Sequence, residues 1–107
     1  MEKPYKLRYL PAFYDDLQES VNYITIVLKN PQAADKLIDT VERSIVERLP
    51  LADRFEEYCS AKERKHPYYR IRAGKYFSYY VVLENDRKKI MEVRRLLHSR
   101  RDRSKHV

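Results

Sequence analysis

Arg70 and Arg72 stand two residues apart in residues 68–73, where arginine alternates with tyrosine and aliphatic side chains. A period of two is that of a β-strand, so both guanidinium groups share one face with Tyr68 while Tyr69, Ile71 and Ala73 take the other. Like charges side by side on a strand repel, and a fold that keeps them leaves them to water or offers them to an anionic partner. A second basic group ends the next strand-like stretch: Arg94 and Arg95, then His98, Arg100 and Arg101. An imidazole with an ordinary pKa of about 6.5 exchanges protons at neutral pH, and neighbouring cations favour its neutral, basic form. Arginines around such a group can bind an RNA backbone and stabilise the charge that builds on a phosphate as a 2′-hydroxyl attacks it. Tyrosines on the same face would stack unpaired bases, each contact worth about 1–3 kcal/mol. The same residues also suit a solvated basic surface with His98 half-buried at a sheet edge.

Charge along the chain points the same way. Residues 62–107 hold 15 Lys or Arg against 5 Asp or Glu, whereas residues 1–61 hold 8 against 11, within a net charge of +7. An extended positive surface attracts phosphate backbones before any specific contact forms, so nucleic acid or a nucleic-acid machine is the first partner to consider. The 107 residues, 43% hydrophobic with one glycine, make a single domain over residues 1–107 and argue against disorder. Cys59 stands alone and His66, His98 and His106 lack the spacing of a zinc site, so no metal or other cofactor is expected. No apolar run approaches a membrane span and the N-terminal residues lack the apolar stretch of a signal peptide, which predicts a cytoplasmic protein without a membrane partner. Glycine-rich phosphate loops, Ser-His-Asp signatures and paired-carboxylate arrangements are absent.

The elements that must position these groups can be read from periodicity. Residues 5–10 alternate as a short first strand. Pro11 then suits a helix start, Asp15 and Asp16 complement its positive end, and Phe13, Leu17, Val21, Ile24 and Leu28 form a core-facing stripe. Asn30 followed by Pro31 caps a second helix whose apolar positions run through Val41 and Ile45 to a stop at Pro50, so the two helices form an antiparallel hairpin. Residues 51–67 read as a loop, with a helical turn around residues 55–58 and a basic end at Lys62, Arg64, Lys65 and His66. Three strands follow, over residues 68–73, 76–83 and 89–97, joined by a Gly74-Lys75 turn of type II′ and a turn at Asn85-Asp86. The apolar phase slips between Val93 and Leu96, which predicts a bulge that re-aims Arg94 and Arg95. The result is an α+β domain: an N-terminal strand, a helical hairpin and an antiparallel three-strand meander in one twisted sheet, with the helices on one face and the basic residues on the open one.

Over nearly its whole length this chain resembles the RelE/ParE toxins of bacterial type II toxin-antitoxin modules. The resemblance is carried by Tyr69-Arg70-Ile71-Arg72, Gly74-Lys75-Tyr76, Tyr80-Val81-Val82, Val93-Arg94-Arg95-Leu96-Leu97-His98 and Arg100-Arg101-Asp102. It implies a cytoplasmic toxin held silent by a cognate antitoxin. One branch of the family enters the ribosome and cuts mRNA without a metal, and the other inhibits DNA gyrase. In the first branch, Arg70, Arg72 and Arg100 would stabilise the phosphate, His98 would be the general base or acid, and Lys62, Lys65, Arg94, Arg95 and Arg101 would position RNA. That branch commonly carries an arginine after the strand tyrosine, where this chain has Phe77. The expectation is a ribosome-dependent mRNA endonuclease. The alternatives are a non-enzymatic gyrase inhibitor and a degenerate toxin that only binds its antitoxin.

Overall fold

Residues 5–55, 67–85 and 88–100 are described by a computed structural model. The first strand, β1 (Lys6–Tyr9), ends at extended Leu10, and Pro11, whose fixed φ suits a first helical turn, opens α1 (Pro11–Asn22). No acidic residue lies in that first turn, so the expected dipole role of Asp15 and Asp16 does not hold; Asp16 is buried one turn further on. A π-helical turn, Tyr23–Val27, continues α1 with Leu28 N–H donating to the Tyr23 carbonyl at 3.1 Å. This wider turn breaks the expected stripe: Phe13 and Ile24 are buried, Leu17 and Val21 half-buried, but Leu28 is exposed. Lys29 then reverses the chain at φ +52°, and the Asn30 side chain accepts from Ala33 N–H at 3.1 Å, capping α2 (Pro31–Arg48).

After a 3₁₀ turn at Leu49–Leu51 the described chain resumes with β2 (Tyr69–Ala73), β3 (Tyr76–Asn85) and β4 (Lys88–His98). The helical turn expected around residues 55–58 and the turn at Asp86 fall largely outside the described residues. The sheet order is β1-β4-β3-β2, with β1 parallel to β4 and the meander antiparallel. Ala73 pairs with Tyr76 across the Gly74-Lys75 turn, where Gly74 has φ +62° and alone of the two is left-handed, as a type II′ turn needs. The helices cover one sheet face: Phe13, Ala34, Leu37, Val41 and Ile45 pack on Ile71, Tyr80, Met91, Val93 and Leu96. The other face, expected to leave tyrosine over for stacking, carries a second buried cluster of Tyr68, Phe77, Tyr79, Val81 and Leu97.

Candidate functional site

Strand β4 carries most of the expected site, and its register decides where each side chain goes. Tyr80 pairs with Val93 but Tyr79 pairs with Arg95, so Arg94 is the extra residue of a bulge. Directly opposed residues share a face, and one inserted residue flips every later side chain to the other side. With unbroken alternation from Glu92, His98 would project with Arg70 and Arg72. With the bulge it pairs with Tyr76 and makes an edge-to-face contact with that ring at 5.2 Å. Tyr76 packs on the helix-side core, whereas Arg70 and Arg72 pair with Tyr79 and Phe77 of the opposite face. The expected patch beside His98 therefore does not form: His98 lies on one side of the sheet, and Arg70 and Arg72 on the other.

Arg94 and Arg95, expected to position RNA, are occupied within the protein. The Nε of Arg94 donates to Glu92 Oε1 at 2.8 Å and the Nε of Arg8 donates to Oε2 at 2.8 Å, so one buried carboxylate holds two guanidinium groups. Burial alone would raise the Glu92 carboxyl, but the hydrogen bonds from Arg8 and Arg94 outweigh it and hold it below the usual carboxylate range. Arg95 reaches α1, where Nε and Nη2 donate to the two oxygens of buried Asp16 at 2.7 and 2.8 Å. Leu96 N–H donates to the same carboxylate at 2.9 Å. Strand β1 ends at Tyr9 opposite Val93, so Asp16 serves the part of the β4 edge that no strand covers. The bidentate pair with Asp16 raises the Arg95 guanidinium above its ordinary value.

The arginines of β2 lie over aromatic rings. Arg70 sits 4.5 Å from the Phe77 centroid and Arg72 5.7 Å, and Arg72 Nε also donates to the Gly74 carbonyl at 3.1 Å. The tyrosines expected to stack bases are consumed. Tyr79 and Tyr80 are fully buried, and the Tyr80 hydroxyl donates to the Ala52 carbonyl at 2.7 Å while accepting from Arg48 Nη1 at 3.0 Å.

His98 and Arg100 do come together. Arg100 N–H donates to His98 Nδ1 at 3.1 Å, which places the neutral ring's proton on Nε2. Both line a cleft of about 440 Å³ with Tyr76, Leu96 and, from the helical side, Ser20 and Tyr23. Asp16 and Glu19 complete its lining, so the cleft presents polar groups of both signs, and it receives no cation from β2. A separate apolar groove of about 260 Å³ lies between α1 and α2, lined by Phe13, Tyr14, Leu17 and Ile38. Lys62, Lys65 and Arg101 lie outside the described residues. Among the described residues no cluster of three or more His, Cys, Asp or Glu could hold a metal, and no helix is long and apolar enough to cross a membrane.

The family model of the ParE toxin of the type II toxin-antitoxin system parDE matches residues 7–103. The chain belongs to the ParE toxin family. No curated protein matches it. As a ParE-family toxin it has an antitoxin for a partner. Two features of this family member escape a reading of local pattern. One is the Asp16–Arg95 and Arg8–Glu92–Arg94 pairing, which joins residues 79 and 84 positions apart. The other is the exposure of Tyr23, Ile26, Val27 and Leu28 at the turn of the helical hairpin. The second left a signal: residues 20–28 carry no charge where an amphipathic helix alternates polar with apolar positions.

Proposed function

We propose that this ParE-family toxin arrests growth by binding a protein, DNA gyrase being the target the family resemblance implies, and does not cut mRNA. The observation that carries this reading is the placement of His98 on the sheet face opposite Arg70 and Arg72. A proton donor or acceptor works within about 2.6–3.2 Å of the atom it serves, and charge-stabilising donors must reach the same phosphate. A sheet between them prevents that. The engagement of Arg94 by Glu92 and of Arg95 by Asp16 removes the substitutes for the arginine that Phe77 replaces. Losing one such donor costs on the order of 10²–10³ in rate. A second reading, mRNA cleavage on the ribosome, keeps one supporting observation, the shared cleft of His98 and Arg100.

Inducing the chain in bacteria separates the two. The binding reading expects inhibited supercoiling by purified gyrase and DNA damage in cells whose messages stay intact. Rapid cleavage of translated mRNA with normal supercoiling would reverse the conclusion.

A further inference from the structure

Where the chain leaves α2, residues 48–55 bond to groups from both edges of the sheet. Ala52 is fully buried in the helix-side core, and Tyr5, the residue before β1, packs in the same cluster. The Tyr80 hydroxyl of β3 donates to the Ala52 carbonyl at 2.7 Å and accepts from Arg48 Nη1 at 3.0 Å. The same Nη1 lies 3.4 Å from the Arg70 carbonyl of β2, and the guanidinium covers the Phe55 ring at 3.4 Å from its centroid. Tyr69 of β2 stacks on Tyr80 with the ring centroids 5.2 Å apart. Towards β1, burial and a hydrogen bond to Asp53 push the Tyr5 phenol above its ordinary value. In the order β1-β4-β3-β2, β1 and β2 are the two edges. One short segment therefore holds both, although two strands lie between them.

We propose that residues 48–55 are a clasp that couples the two sheet edges, so that β1, β2 and the segment itself open as one unit while β3 and β4 stay paired. Edge strands are the parts of a sheet that open most readily, and without a shared tie each opens alone. Here a half-open state is unfavourable. Lifting the segment from Tyr80 leaves a buried hydroxyl with neither its acceptor nor its donor, and strips Ala52 and Asp53 from Tyr5 in the same movement. Coupling of this kind is reciprocal, so whatever steadies one edge steadies the other by the same factor. The inference concerns the fold's own opening and does not depend on the binding reading of function.

Residue-resolved hydrogen exchange on the whole chain is the test. In the wild type the amides of β1, of β2 and of residues 49–55 are expected to share one protection factor, lower than that of the β3–β4 centre. Three variants follow: Tyr80→Phe on the β2 side of the clasp, Asp53→Ala on the β1 side, and Val46→Ser as an exposed control on α2. Circular dichroism and melting curves establish that each is folded. Tyr80→Phe should speed exchange in β1 as much as in β2 and residues 49–55, by roughly 5-fold to 30-fold, the range for losing a buried hydrogen-bonded hydroxyl. Asp53→Ala should speed β2 and β1 by a smaller but equal factor, and Val46→Ser should exchange as the wild type. Wild-type edges that differ in protection, or that match the central strands, overturn the proposal. So does a Tyr80→Phe variant that leaves β1 untouched, an Asp53→Ala variant that leaves β2 untouched, or a Val46→Ser variant that speeds the same amides.

Discussion

Asp16 accepts three hydrogen bonds from β4, two from the Arg95 fork and one from Leu96 N–H. Asp16→Asn keeps the size but removes the charge and turns a donor toward donors. Because the carboxylate is buried while Arg95 is partly exposed, the loss should be about 2–4 kcal/mol, somewhat below that of a fully buried pair, read as a lower urea midpoint. Glu92 gives a pH signature. Its folded-state pKa is held below its unfolded value, so its contribution is present above the ordinary glutamate value and lost as pH falls through the folded one. Wild-type stability should therefore fall from about pH 5 downward. Arg8→Met removes one of the two donors, brings the folded value nearer the unfolded one, and should make urea midpoints lower at neutral pH and less steeply pH-dependent in acid.

At the scale of elements, two short-range devices hold the frame. Gly74 has open space where a Cβ would be added, so Gly74→Ala should be costly through backbone conformation alone, about 1 kcal/mol from the φ of +62°. Removing the Asn30 cap in Asn30→Ala should cost a similar amount, about 1 kcal/mol. Both are measurable by thermal or urea unfolding with the fold retained. These devices are visible in sequence because each depends on neighbours within three residues. The bulge in β4 was also legible, from the slipped apolar phase between Val93 and Leu96. Its consequence was not: counting alternation through the inserted Arg94 changes which face His98 occupies, and that count requires the residue pairing with β3.

For the molecule as a whole, the charge asymmetry suggests nucleic acid, but several of the basic side chains are satisfied internally or lie over rings. A basic composition favours association with polyanions without specifying cleavage. The double variant Arg70→Ala/Arg72→Ala separates the readings in cells. Growth arrest should persist if the toxin acts by binding a protein, and disappear if those arginines serve a cleaved phosphate. Plating efficiency after induction, with the melting temperature as a folding check, is the measurement.

By itself the sequence determined the kinds and order of the elements, the Asn30 cap, the Gly74 turn, the bulge and the family resemblance, because periodicity, capping and turn chemistry act over a few residues. Only the tertiary structure decided that β1 lies beside β4, that Glu92 meets Arg8 and Arg94, and that Asp16 meets Arg95. It also decided that His98 turns from Arg70 and Arg72 and that Ile26, Val27 and Leu28 face outward. Those outcomes depend on strand pairing and helix phase across large sequence separations, which no local pattern encodes.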